Sequence, residues 1–164
     1  MRVYLPATLP LIIRWLADGV ALPGGPAYAV TPALREWYRE GDIDELEHVA
    51  QVAAAGGSVE LIASDPTAPR RRVVLAADVA DSEVEPMPVP ERAAVRLSAP
   101  VPRSGWASAL LDDAGAEVVV ATAVANLARA AIGDEDARFA LDEAAATELG
   151  WYGVQELPHV LGLD

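Results

Sequence analysis

The spacing of apolar and polar positions along the chain predicts six β-strands. Residues 2–7 and 94–99 alternate between apolar and polar side chains, and residues 71–79 form a β-branched run that is the clearest strand. The remaining strands are expected at residues 27–30, 106–111 and 138–141.

Five further segments carry apolar residues at the i, i+3, i+4 and i+7 spacing of a core-facing helix. Each follows a residue type that caps helix N-termini, and proline occupies the first turn of two of them. Gly56 and Gly57 weaken the third helix by about 1 kcal/mol each, but we expect it to continue through them. The predicted helices are residues 9–18 after Thr8, 32–40 after Thr31, 43–63 after Asp42, 114–132 after Asp112-Asp113, and 143–157 after Asp142.

This order of elements predicts a single α+β domain over residues 1–164, with a mixed sheet of about six strands and four to five helices. The prolines of residues 81–91 predict an extended linker within that domain. Residues 28–31 (Tyr-Ala-Val-Thr) resemble residues 139–142 (Phe-Ala-Leu-Asp), and each set is followed by a Trp-Tyr pair. The similarity suggests two βαβα halves from a duplicated ferredoxin-like unit, with chance similarity as the alternative.

The formal charge of −13 argues against a nucleic-acid partner, because such binding requires a basic surface that displaces counterions. Arg70, Arg71 and Arg72 form the one basic run, and we interpret it as a solvated strand edge. No apolar run reaches the roughly 18 residues of a membrane span, and the N-terminus lacks a secretion signal. We therefore expect a soluble cytoplasmic protein.

Cysteine and lysine are both missing from the sequence. Their absence excludes disulfides, thiolate metal sites, a cysteine nucleophile, a Schiff-base lysine and the phosphate-loop lysine. The two histidines, His48 and His159, are too few for a three-histidine zinc site. We interpret the acidic run of residues 40–47 as helix capping, with a calcium site as the alternative, and we expect no cofactor.

Three residues occupy positions where ligands collect in α/β proteins, at the carboxyl ends of predicted strands. Thr8 follows the first strand and opens a helix whose N–H groups could hold an anion. Asp112 and Asp113 follow the strand 106–111, where carboxylates could hold Mg²⁺. Adjacent strand residues point to opposite faces, however, and one of the two aspartates is expected to be only a helix cap.

Four large aromatic residues form the Trp37-Tyr38 and Trp151-Tyr152 pairs. Their spacing in predicted helices favours burial in the core. If they are exposed instead, they form a candidate contact surface together with Arg35, since Trp, Tyr and Arg dominate protein interfaces.

The chain resembles a family of small uncharacterised proteins, of about 160 residues, from high-GC Gram-positive bacteria. The resemblance rests on four segments: residues 1–8 (MRVYLPAT), 31–36 (TPALRE), 73–79 (VVLAADV), and 151–152 with 155–157 (WY and QEL). It implies no assigned activity and no catalytic residues.

Three functions remain open on the sequence. We favour a non-catalytic interaction or regulatory module, with a homodimer or another protein as its partner. The alternatives are a small-ligand-binding domain with a pocket near Thr8 and Asp112, and an enzyme that uses carboxylates and arginines alone.

Overall fold

The computed structural model describes residues 1–88 and 91–163 and confirms an α+β fold. The nine strands of the described chain are β1 (Arg2–Ala7), β2 (Val20–Ala21), β3 (Ala27–Ala29), β4 (Val73–Asp78), β5 (Val84–Pro86), β6 (Ala94–Leu97), β7 (Val101–Pro102), β8 (Trp106–Leu111) and β9 (Gly150–Gly153). Its six α-helices are α1 (Leu9–Asp18), α2 (Pro32–Trp37), α3 (Ile43–Ala63), α4 (Glu117–Ala131), α5 (Glu135–Ala146) and α6 (Leu157–Val160).

Seven strands form the main sheet in the order β5-β6-β3-β1-β4-β8-β9, and β2 pairs separately with β7. Every pairing of the described strands is antiparallel, whereas the predicted sheet was mixed. The difference lies in the connections. The α2–α3 crossover leads from β3 to β4, which are parallel to each other but lie on opposite sides of β1.

The alternation of side chains along the strands divides the core into two layers. Val3 and Leu5 of β1 pack with α1 and α6 on one face of the sheet, where Trp15 and Leu157 are buried. Tyr4 of β1 points to the other face and packs with α2 and α3. The sheet is therefore covered by helices on both faces.

Helix α3 continues through its two glycines, as the sequence predicts. A Cβ at Gly57 would lie 2.8 Å from Cγ of Pro6 on β1, so the missing side chain lets the helix approach the sheet closely. The next residue, Ser58, joins helix and sheet. Its buried hydroxyl donates to the carbonyl of Ala7 at 2.7 Å and accepts from the N–H of Val73 at 3.0 Å.

The C-terminal third differs from the prediction. Residues 138–141, the predicted strand, lie inside α5, because Asp134 caps a helix that begins before them; its carboxylate accepts from the N–H of Ala137 at 2.9 Å. Residues 150–153, predicted as helix, form the edge strand β9. Residues 28–31 and 139–142 therefore have different structures, and the prediction of duplicated ferredoxin-like halves is wrong.

The predicted linker of residues 81–91 also contains regular structure. Asp81–Glu83 form a 3-10 turn and Val84–Pro86 form β5, which pairs with β6. Residues 89 and 90 of this segment lie outside the described residues.

Candidate functional site

The three candidate ligand residues, Thr8, Asp112 and Asp113, follow strands whose ends lie at the same side of the sheet. Ala7, Val73, Leu111 and Gly150 are aligned across β1, β4, β8 and β9. Thr8 caps α1 by accepting a hydrogen bond from the N–H of Leu11 at 3.2 Å. It is 5% exposed, so its hydroxyl is committed to the fold.

Asp112 forms a buried ion pair with Arg72, the residue before β4. Nε of Arg72 donates to Oδ2 of Asp112 at 2.7 Å, and its Nη2 donates to Oδ1 at 2.9 Å. The backbone N–H of Arg72 also donates to Oδ2, at 2.8 Å. The side chain of Asp112 is fully buried and that of Arg72 is 1% exposed. Such bidentate geometry fixes both side chains.

The same guanidinium caps the C-terminal end of α5. Nη1 of Arg72 donates to the carbonyl of Ala144 at 2.6 Å, and Nη2 donates to the carbonyl of Thr147 at 2.9 Å. Carbonyls at helix C-termini lack intrahelical donors, and a cation there is also stabilised by the helix dipole. Arg72 therefore joins β4, β8 and α5 through one buried charge.

The basic run of residues 70–72 is thus not a solvated edge. Arg72 is buried, Arg71 donates to Glu117 at 2.7 Å, and Arg70 donates to the carbonyl of Ala68 at 3.0 Å. The interpretation as a solvated edge failed because each of the three arginines has a different partner in the folded protein. The charge pattern alone does not place Asp112, 40 residues away, beside one of them.

Asp113 is exposed and caps the 3-10 turn before α4, accepting from the N–H of Gly115 at 2.8 Å. The expectation that one aspartate of this pair is a cap is confirmed. No group of three or more possible metal-ligating His, Asp or Glu side chains occurs in the described residues.

The candidate aromatic residues are mostly on the surface. Trp37, Tyr38 and Trp151 are 60%, 44% and 66% exposed, so the spacing argument for their burial is wrong. Tyr152 is half-buried and Arg35 is exposed. The pattern failed for Trp151 and Tyr152 because they lie on a strand, where neighbouring side chains alternate between faces.

These aromatics do not share one surface. In β9, Trp151 is aligned with Leu110 and Tyr152 with Ala109, which pack on opposite faces of the sheet. Trp37 follows β3 in the chain, and β3 lies four strands away from β9 in the sheet. At the usual spacing between strands, β3 and β9 are roughly 19 Å apart.

The guanidinium of Arg92, which sequence reasoning missed, stacks on Trp37 at 3.7 Å from the ring centre.

Two clefts meet at Tyr28 of β3. One, of about 300 Å³, lies between α3, α4 and α5, and the other, of about 230 Å³, lies between α3 and residues 23–26. Gly57 and Glu60 also line both. Burial raises the pKa of Tyr28 to about 12, and the charges of Glu60 and Glu91 act in the same direction.

Helix α4 exposes large apolar residues on its outward side as well as packing apolar residues inward. Val118 and Ile132, near its two ends, are 79% and 86% exposed. Sequence reasoning used only the inward positions, although the outward ones have the same helical spacing. We define the α4 face as its outward residues and the C-cap: Val118, Ala121, Thr122, Ala125, Ala128, Arg129 and Ile132.

By length and composition alone, residues Ala114–Ala131 would suffice to cross a membrane. Their mean hydropathy is 1.2, and 22% of the segment is buried. The segment contains Glu117 and Arg129, and α4 packs against α5 through Ala123 and its neighbours. Most of its large apolar residues face inward, since Val120 is buried and Val119, Val124 and Leu127 pack against the core, so we attribute the high hydropathy mainly to that packing.

No curated protein and no solved structure matches the chain. The model of a family of unknown function, DUF6912, matches residues 1–161. The expected membership of a family without assigned activity is confirmed. The chain belongs to the DUF6912 family, a family of unknown function.

Proposed function

We propose that this protein is a non-catalytic interaction module that self-associates through the α4 face. The observation that carries the proposal is the exposed apolar surface of this helix, with Val118 and Ile132 at its ends. Large apolar side chains this exposed on one helix indicate a site of association.

The α4 face favours a second copy of the chain as its partner because it is self-complementary. In an antiparallel arrangement with a two-fold axis at Ala125, Val118 of one copy lies opposite the partner's Ile132. Ala121, Ala125 and Ala128 lie between these ends, and small residues let two helix axes approach to about 8 Å. The hydroxyl of Thr122 donates to the carbonyl of Val118 at 2.9 Å and so needs no partner.

The charge distribution also favours the α4 face as the interface. Two copies with a formal charge of −13 each repel one another, so association requires a surface with few acids. Of the two charged residues of α4, Arg129 lies on the α4 face and carries a positive charge, and Glu117 already pairs with Arg71. Arg70 also lies beside the N-terminal end of the α4 face and offers a positive charge to an acidic partner.

A shallow groove extends the α4 face at this end. Pro66, Ala68 and Pro69 form one side of the groove, and Val118 and Ala121 form the other. Helix α4 is about 22 Å long, so the face and groove together correspond to an interface at the small end of the usual range. We expect a reversible dimer with a Kd of about micromolar order.

Sedimentation velocity over a concentration series tests the proposal. We expect the weight-average sedimentation coefficient of the wild-type chain to rise with concentration. It should rise further with added salt, because salt screens the repulsion between the two acidic bodies. A constant monomeric value at all concentrations would contradict self-association.

A double variant locates the interface. Val118→Glu with Ile132→Glu places charge at both ends of the α4 face, and we expect it to remain monomeric. The control is Leu22→Glu, which places the same charge on an exposed apolar residue away from α4, 54% accessible, and should dimerise as the wild type does. Circular dichroism verifies folding of each variant. A dimer that persists in the double variant would place the interface elsewhere.

A further inference from the structure

The two clefts at Tyr28 border a polar group that has no hydrogen-bond partner among the described residues. Tyr28 is 8% exposed, and its hydroxyl makes no hydrogen bond within the described residues. Every side-chain nitrogen or oxygen that is fully shielded in the described chain has a hydrogen-bond partner. The Tyr28 hydroxyl must therefore be accessible, and the spaces that border its side chain are the two clefts.

Gly56, an exposed residue of α3, lines the larger cleft without a side chain. A Cβ at this position would have no atom within 4 Å, in contrast to the crowded Gly57. Packing therefore does not require glycine at residue 56, although glycine within a helix costs about 1 kcal/mol relative to alanine. Because residue 56 is glycine, no side chain of α3 at this position fills the cleft that Tyr28 also lines.

The charges around the larger cleft are acidic. Glu60, Glu91 and Asp142 line it, and none of them forms an ion pair within the described residues. The one basic residue in its lining, Arg72, is neutralised by Asp112. A cation bound there would gain attraction that an anion could not.

The remaining wall of the larger cleft is apolar. It is formed by Ala123 and Leu127 of α4 and by Leu141 and Ala144 of α5. A metal ion does not match this lining, since the described residues contain no group of three carboxylate or histidine ligands. At about 300 Å³, the cleft is at the lower end of the size of small-molecule sites.

We propose that this cleft binds an organic cation, a primary ammonium group carried on a small apolar body. The ammonium donates hydrogen bonds to the carboxylate of Glu60 and to the hydroxyl oxygen of Tyr28, and Glu91 adds negative charge. The apolar body lies over Gly56 and against Leu127 and Leu141. This site is separate from the α4 face, and neither proposal depends on the other.

Three probes of similar shape test the charge requirement: 2-phenylethylammonium, neutral 2-phenylethanol and anionic 3-phenylpropionate. Each is titrated into the ¹⁵N-labelled full-length chain at pH 7 while backbone amide shifts are recorded. We expect saturable shifts at residues 56–60 with the ammonium probe, and at least about tenfold weaker binding of the other two, because a charge-assisted hydrogen bond is lost.

Three variants test the residues. Glu60→Gln should weaken binding of 2-phenylethylammonium about tenfold, Tyr28→Phe should weaken it severalfold, and Gly56→Leu should abolish it by filling the cleft. The matched control is Glu47→Gln, the same substitution on the same helix about 20 Å away, and it should bind as the wild type does. Tyr28→Phe keeps the ring, so the core packing is retained.

Several outcomes would overturn the proposal. One is the absence of any saturable shift with about 10 mM ammonium probe, and another is equally tight binding of 2-phenylethanol. Equal affinities of the Glu60→Gln and Glu47→Gln variants would also overturn it. Amide shifts confined to the outward α4 residues Val118, Thr122 and Ile132, without shifts at residues 56–60, would assign binding to the other surface and equally contradict the cleft.

Discussion

Arg72 and Asp112 form a buried, doubly hydrogen-bonded ion pair across neighbouring strands, with Nε–Oδ2 and Nη2–Oδ1 distances of 2.7 and 2.9 Å. Two further bonds from the same guanidinium reach the carbonyls of Ala144 and Thr147 at the end of α5. The aspartate that looked most like a ligand position in the sequence thus holds the sheet to the helical layer.

Removal of the Asp112 charge should strongly destabilise the protein. In Asp112→Asn the Arg72 guanidinium remains buried without its counter-charge, and breaking such a pair costs about 3–5 kcal/mol. We expect a decrease of that size in the free energy of unfolding, measured by urea denaturation followed by circular dichroism.

Two controls separate charge from position. Asp113→Asn, at the exposed neighbour that only caps a turn, should change the unfolding free energy by less than about 0.5 kcal/mol, because the asparagine oxygen can accept the same hydrogen bond. Arg72→Met combined with Asp112→Leu removes both charges and should recover part of the loss, since apolar pairs can replace buried ion pairs. Equal stability of Asp112→Asn and the wild type would contradict the structural role.

The two adjacent glycines of α3 should respond to alanine in opposite directions. Gly56→Ala adds a Cβ with no atom within 4 Å, so we expect about 1 kcal/mol of stabilisation from helix propensity. Gly57→Ala places a Cβ 2.8 Å from Cγ of Pro6, and overpacking of about 1–3 kcal/mol should exceed that gain. Parallel urea titrations of the two variants measure the difference, and a shift of equal sign for both would contradict it.

Replacement of Ser58 by alanine should lower the free energy of unfolding, although it removes only one hydroxyl group. Ser58→Ala leaves the carbonyl of Ala7 and the N–H of Val73 without the bonds that the hydroxyl supplies, at a cost of about 1–3 kcal/mol. Ser64→Ala, at the exposed end of the same helix, should change the unfolding free energy by less than about 0.5 kcal/mol. Similar losses in both variants would indicate that helix propensity, rather than the bridge to the sheet, determines the effect.

Sequence signals from neighbouring residues predicted most of the helices and strands in the first two thirds of the chain. Thr8, Thr31 and Asp42 cap the helices that the sequence predicts, each by a side-chain oxygen that accepts from a backbone N–H three residues on. The strands at residues 2–7 and 106–111 have the predicted bounds. These features depend on neighbouring residues alone, and for that reason the sequence displays them.

The secondary-structure prediction failed in the segments where tertiary contacts determine whether a helix or a strand forms. Residues 139–141 carry a strand-like composition, yet Ala137, Ala140 and Ala144 are buried as a helical stripe. Trp151 and Tyr152 form a strand because β8 offers them an edge to pair with. The buried partner of Arg72 and the Tyr28 clefts arise between segments far apart in the chain, and a single sequence carries no signal for such distances.

Tyr28 should ionise only at high pH, and the fold should lose stability as it does. Its pKa in the folded protein is raised to about 12, against about 10 in the unfolded chain, because burial and the charges of Glu60 and Glu91 disfavour the phenolate. The stabilisation is present below pH 10. It decreases as pH rises toward 12, since the folded state then binds more protons than the unfolded state.

Absorbance at 295 nm during alkaline titration measures this ionisation directly. The difference between the wild type and Tyr28→Phe isolates Tyr28, and we expect its midpoint near pH 12 in the folded protein and near pH 10 in urea. Glu60→Gln should lower the midpoint of the folded protein, because it removes one of the two nearby charges. Simultaneous circular dichroism identifies the pH at which unfolding begins. A difference curve centred near pH 10 while the protein is still folded would contradict the prediction, because it would show that neither burial nor the charges of Glu60 and Glu91 disfavour the Tyr28 phenolate.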